Sequence, residues 1–262
     1  MTNGWPKSAK IVLVTLVCLL GAGLVLYEAS SLRAWYSARQ LSQRNPNISL
    51  LPIPPPDSRL AELGGARIER AGISMQSPWK VIEKEQRIRG NATMKLTGVN
   101  FPEGQLVIVV FSPMLEKRSK FRAPGIERRI MTRLCRGEGF KSGYDRMAAE
   151  MQATPAQVKW WGTCGSNVRN TFLLRVKSSY VGYRPTVIYT THFGELRGFQ
   201  IGNPSVRPFD VKLALFDQSG RQYGFVFSGR DREHPVLSQE QINAFVTSIR
   251  PLPLTTGFLS SN

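Results

Sequence analysis

Cys164 sits in Thr163-Cys164-Gly165-Ser166, among neighbours small enough for a substrate to approach its thiol. A Cys–His hydrolase would need His192 or His234 beside it, and an Asn or Asp to orient the imidazole. The chain has two histidines in all, and the residues around Cys164 lack the second cysteine and the following aromatic of the papain-like pattern. Gly137-Glu138-Gly139-Phe140-Lys141-Ser142-Gly143 has the flavour of a phosphate loop. It misses the glycine that should precede the lysine, and no apolar strand runs directly into it, so it reads as a basic turn between two helices. Two widely spaced histidines and no short-spaced cysteine pair do not outline a tetrahedral metal site. Glu83 and Glu85 share one strand face and read as exposed charge rather than an acid–base dyad. The sequence therefore assigns no catalytic, cofactor-binding or metal-binding residue, and no cofactor.

Cys135 and Cys164 leave two readings open. In an oxidising compartment they would close a loop of about thirty residues, worth roughly 3 kcal/mol of loop entropy. Otherwise they are two unpaired buried thiols. Asn47-Ile48-Ser49 and Asn91-Ala92-Thr93 match the glycan acceptor pattern, which matters only in a eukaryotic secretory pathway.

Charge is the strongest compositional signal. The formal net charge is +17 over 262 residues. It concentrates between Lys117 and Arg146, where ten Lys or Arg face Glu127, Glu138 and Asp145. Lys117, Arg118, Lys120, Arg122, Arg128, Arg129, Arg133, Arg136 and Lys141 are the candidate contacts for a polyanion. Summed field rather than any single contact would do the attracting. Anionic headgroups, an envelope polymer or an acidic partner protein fit this charge, and nucleic acid fits it if the domain faces the cytoplasm.

Place follows from Ile11 to Tyr27, an uncharged run just behind Lys7 and Lys10. It makes about 26 Å of helix, the short end of what spans a hydrocarbon core of ~30 Å. Trp5 on one side and Tyr27, Trp35 and Tyr36 on the other suit the two interfaces. The run is long for the apolar region of a cleaved signal, and Tyr27-Glu28-Ala29 is a poor cleavage site. A retained single-pass anchor is the expectation. Flanking charge does not decide orientation, since Arg33, Arg39 and Arg44 balance the amino-terminal lysines. A short leading tail is the usual form of a protein whose bulk is exported, on the periplasmic side if the cell is bacterial.

Four segments follow. Residues 1–27 form the tail and anchor. Residues 28–64 form a juxtamembrane helix, with an aromatic and basic interfacial face at Leu32, Trp35, Tyr36 and Arg39, and then a tether. Pro46, Pro52, Pro54, Pro55 and Pro56 give that tether extended polyproline geometry, lifting the domain off the bilayer. Residues 65–252 are globular, and 253–262 a flexible tail. Within the globular part, Arg67–Arg70, Ile73–Met75, Lys80–Arg89, Thr93–Val99 and the apolar Gln105–Phe111 read as strands, the last a central one. Ile126–Cys135 and Tyr144–Met151 read as helices. Trp160 and Trp161 read as a hydrophobic lid on the core. Phe172–Val176, Thr186–Thr191, Leu196–Ile201, Phe209–Phe216 and Gln222–Phe227 read as strands, with Asp217–Gly220 a hairpin turn. Ser238 caps a closing helix whose stripe is Ile242, Phe245, Val246 and Ile249. The fold class is α+β, a mainly antiparallel sheet with a helical basic insert and a carboxy-terminal amphipathic helix.

Ile73-Ser74-Met75 leading into Ser77-Pro78-Trp79, and the Tyr223-Gly224-Phe225 strand followed by the amphipathic helix and Ile249-Arg250-Pro251, resemble the PsbP-like family of extracytoplasmic domains. The resemblance covers the two ends of the domain, about a third of it, and the basic insert departs from it. It implies a non-enzymatic accessory or assembly module, often tethered to a membrane, and carries over no site residue. The expectation is thus an anchored, extracytoplasmic interaction module. A thiol-dependent hydrolase using Cys164 and His192, and a cytoplasm-facing nucleic-acid binder, stand as the alternatives.

Overall fold

The computed structural model describes residues 7–56, 61–70, 72–91, 94–111, 125–136, 138–184, 186–205, 210–229 and 237–252. Within these, the side chains at 7–14, 20, 22–27, 87–91, 94–95, 111, 125–128, 135 and 251 are not part of the description. In chain order the elements are α1 (Lys7–Arg44), β1 (Arg67–Arg70), β2 (Ile73–Gln76), β3 (Lys84–Asn91), β4 (Met94–Asn100), β5 (Gly104–Phe111), α2 (Gly125–Cys135) and α3 (Gly143–Gln152). They continue as α4 (Cys164–Val181), β6 (Ile188–Phe193), β7 (Leu196–Ile201), β8 (Asp210–Phe216), β9 (Gln222–Gly229), α5 (Gln239–Ser248) and β10 (Arg250–Pro251).

A seven-stranded antiparallel sheet in the order β3-β4-β5-β9-β8-β7-β6 forms the centre. Alternation assigns its faces, because successive side chains of a strand point to opposite sides. On one face Leu106, Ile108, Leu213, Leu215, Phe225 and Phe227 are buried under α5 and the small sheet β1-β2-β10. Phe245 of α5 meets Phe225 and Phe227 edge-on, with ring centroids 5.1 and 4.9 Å away. On the other face Ile188, Phe199, Ile201, Ala214 and Phe216 are buried against the second half of α1, α2, α3 and α4. The α+β class and the mainly antiparallel sheet are as the sequence implies. So are β7, whose bounds coincide with the reading, and the α5 cap, where Ser238 accepts from the Gln241 amide and Gln241 returns a bond to the Ser238 N–H.

Three expectations change. Phe172–Val176 is not a strand but the middle of α4, whose Ser166–Val181 stretch holds neither glycine nor proline. The segment after Asn45 is not a free tether. Ile48 is fully buried, the Asn47 amide donates to the Gly182 and Arg184 carbonyls, and Ile53 pairs with the edge of β6 through bonds of 2.9 and 2.8 Å. Pro52, Pro54, Pro55 and Pro56 flank that single paired residue and, lacking N–H groups, prevent the edge from recruiting more. The part of α1 from Ser31 to Leu41 likewise packs on the domain, so the globular unit takes in residues the sequence assigned to a juxtamembrane segment.

The expected membrane helix lies within α1. No helix among the described residues is long and apolar enough to cross a membrane, and most side chains between Ile11 and Tyr27 fall outside the description.

Close strand approach makes one position intolerant. A Cβ on Gly198 of β7 would stand 1.9 Å from the Ala214 carbonyl oxygen of β8. Gly198→Ala is expected to destabilise the fold by about 2 kcal/mol or more, because two backbones must separate. A lowered urea midpoint with an unchanged slope is the result to look for.

Candidate functional site

Ser142, placed in the phosphate-loop motif, instead caps α3, its hydroxyl accepting from the Asp145 N–H at 3.1 Å and donating to the Asp145 carboxylate at 2.9 Å. Glu138 of the same motif pairs with Arg133 at 2.9 Å and lies 3.8 Å from Arg136. This turn closes on itself through its own charges. Cys164 is fully buried in the helical-side core at the start of α4, whereas His192 is exposed near the end of β6. Burial withholds the Cys164 thiol from any substrate in solution. The Cys135 side chain, and so the proposed Cys135–Cys164 bond, lies outside the described residues.

Of the basic candidates, Lys117, Arg118, Lys120 and Arg122 lie outside the described residues, as does the side chain of Arg128. Arg129, Arg133, Arg136 and Lys141 are exposed on or just after α2. Glu83 and Glu85 are exposed, and Glu85 accepts from Arg70 at 2.6 and 2.9 Å. Among the described residues no group of three or more His, Cys, Asp or Glu could hold a metal ion.

A cavity of about 340 Å³ opens between the β6–β7 turn and the end of α5. Phe193, Leu196, Val246 and Ile249 give it apolar walls, and Glu195, Asp217 and Arg250 stand at its edge. Two of those charged groups are already engaged. Asp217 accepts from Ser219 at 2.6 Å, from the Arg221 amide at 2.9 Å and from the Tyr223 hydroxyl at 2.9 Å. Burial pushes its carboxyl up, but these hydrogen bonds and the Arg221 charge outweigh that and hold it below the usual range. Arg250 donates to the Thr247 and Ile249 carbonyls.

The feature that the sequence did not reveal is the contact between α1 and α4. Ser31, Ala34 and Ala38 are small and buried, and their i, i+3, i+7 spacing puts them on one stripe of α1. Asn167, Thr171 and Arg175 stand four apart along α4 and meet that stripe. Asn167 Nδ2 donates to Ser31 Oγ at 2.7 Å, Thr171 Oγ1 to the Ala34 carbonyl at 3.1 Å, and Arg175 to Ser37 Oγ at 3.4 Å. Ascending numbers in both helices show that they run parallel.

Asn167 also fixes the loop before α4. Its Oδ1 accepts from the Lys159 N–H at 3.2 Å, and its Nδ2 donates to the Lys159 carbonyl at 2.6 Å. Ser31 Oγ donates to the Gly162 carbonyl at 2.6 Å. Gly162 leaves room for this, because a Cβ would come within 2.6 Å of the Asn167 side chain and push it off its partners. The loop Lys159-Trp160-Trp161-Gly162 is thus held by its backbone against both helices while its rings point outward. Trp160 is 58% and Trp161 65% exposed. This corrects the lid expectation: the rings stand edge to face at 5.4 Å, with the Lys159 ammonium 5.8 Å from the Trp161 ring centre.

Lys177 is a second unpredicted device. It is fully buried on α4, and its Nζ donates to the Leu50 carbonyl at 2.5 Å and the Ala153 carbonyl at 2.8 Å. It ties the proline-rich segment and the end of α3 to α4. Nearby Glu150 is buried too. Burial raises its carboxyl above the ordinary value, although Arg146, bonded to it at 3.0 Å, pulls the other way.

No known family, curated protein or solved structure matches the chain.

Burial lowers the Lys177 ammonium to about 8 from 10.5. Between these values the unfolded chain binds the proton and the folded chain releases it, so the Lys177 contribution to stability rises with pH across that window. Relative to a Lys177→Met variant, the parent protein is expected to gain about 1–3 kcal/mol between pH 8 and pH 10.5. Urea titrations at both pH values check this, and an unchanged difference would show that the ammonium titrates normally.

Proposed function

We propose that this chain is a membrane-anchored, extracytoplasmic interaction or assembly module of the cell envelope, with no enzymatic activity of its own. One observation carries the reading. The uncharged run Ile11–Tyr27 continues without a break, in one 38-residue helix, into a segment hydrogen-bonded to α4 of the domain. Leu16, Val17 and Leu19 on that run are 53%, 58% and 68% exposed, an apolar surface that water disfavours and a bilayer would cover. The absence of charge from Ile11 through Tyr27 fits a single span.

Further support comes from the exposed Arg129 and Lys141, which offer cations to an acidic partner, lipid or polymer. The resemblance to PsbP-like domains points to the same kind of accessory role. The thiol-hydrolase alternative is disfavoured by the burial of Cys164, and the nucleic-acid alternative requires the opposite topology.

Two measurements test the proposal. Full-length protein is expected in the membrane pellet after an alkaline wash, with a carboxy-terminal alkaline phosphatase fusion active. Leu16→Arg with Leu19→Arg is expected to shift it into the wash, each arginine at mid-span costing about 2.5–3.5 kcal/mol. A parent protein found unprocessed in the soluble fraction would overturn the anchor, and an inactive phosphatase with a fluorescent cytoplasmic fusion would overturn the compartment.

A further inference from the structure

The parallel course of α1 and α4 gives the domain a defined lower pole. Ser31, which meets Asn167 and Gly162, lies four residues beyond Tyr27, about 6 Å along the helix axis. The start of α4 and the loop before it are therefore level with the first turn of α1 past the apolar run. A headgroup layer is about 5–8 Å deep on each side of the hydrocarbon. At that height stand two outward tryptophans, the Lys159 ammonium and, on α1, exposed Leu32, Arg33 and Tyr36, with Glu28 one turn below.

We infer that Lys159-Trp160-Trp161 is a lipid-contacting loop, seated in the headgroup layer of the bilayer that holds α1. The inference rests on the anchor reading proposed above and goes beyond it, since a helix can span a membrane while its domain stands clear. Two indole rings exposed by more than half have no role in either core, and each joins an apolar body to a polar N–H, the combination that settles at a membrane interface. Lys159 adds a cation for lipid phosphate. The backbone holds this loop to α1 through the Ser31 hydroxyl and the Asn167 amide. The rings therefore cannot lift away unless those bonds break. In this arrangement the loop and α1 make two points of contact, which fix the tilt of the domain and hence the direction in which the rest of its surface faces.

Brominated phosphatidylcholines in proteoliposomes test it with the full-length chain. A Trp5→Phe, Trp35→Phe variant keeps Trp79, which is buried in the core, with Trp160 and Trp161. The further Trp160→Phe, Trp161→Phe variant keeps Trp79 alone as the unquenched reference. Bromines near the headgroup end of the acyl chains are expected to remove roughly half or more of the Trp160 and Trp161 emission, and bromines near the bilayer centre much less. Protein that resists alkaline extraction but shows no quenching of the pair would overturn the loop while leaving the anchor standing. Protein that does not integrate at all would overturn both.

Discussion

One buried amide holds the arrangement together. Asn167 bonds in the same stroke to Ser31 of α1 and to both backbone groups of Lys159, and it is 1% exposed. A buried amide without partners is penalised by about 1–3 kcal/mol, so displacing α1 or the loop from Asn167 costs on that order. The small stripe Ser31, Ala34 and Ala38 makes this possible, since larger side chains would hold the helices apart and leave Asn167 short of its acceptor. Everything proposed about orientation follows from this contact. A helix joined by a flexible strap would leave the domain free to turn; one bonded at three points over about two turns does not.

The sheet serves as the rigid back of that contact. Its helical face buries Phe199, Ile201, Ala214 and Phe216 beneath α3 and α4, and Tyr144 stacks on Phe199 at 5.7 Å. Lys177 draws the Leu50 and Ala153 carbonyls onto α4 from the opposite end to Asn167. The α4 helix is thereby fixed near both of its ends by polar side chains, and along its length by Val168, Phe172 and Leu174. On the proposed reading, a force transmitted through the bilayer helix reaches the sheet directly. The other side of the sheet, closed by α5 and the small sheet, carries the cavity near Asp217, whose polar groups are committed to the hairpin.

Legibility in the sequence followed the range of the interactions. Elements governed by local signals are the legible ones. β7 was bounded by turn residues, the β8–β9 hairpin was marked by Asp217 and Gly220, and α5 was announced by Ser238 and its apolar stripe. Phe172–Val176 reads as a strand because a short apolar cluster, here Phe172, Leu173, Leu174 and Val176 around Arg175, suits a buried strand or a buried helix equally. The glycine- and proline-free stretch on either side carried the signal for helix. Trp160 and Trp161 read as a lid on the core, and only the bonds that Ser31 and Asn167 make to their loop account for their standing outward. The small residues at 31, 34 and 38 and the four-residue spacing of 167, 171 and 175 were visible. Their pairing was not, because 136 to 138 residues separate the partners. Lys177 was invisible for a related reason: a lone lysine on a helix signals solvent until its two carbonyl acceptors are known.

Amide hydrogen exchange in bilayer discs tests the central claim most directly. If α1 is part of the domain, amides from Leu32 to Leu41 should exchange as slowly as those of Val168 to Val176, and the two sets should lose protection together in rising urea. Fast exchange of 32–41 beside a protected α4 would mean that the helix stands free of the domain, and would contradict the account.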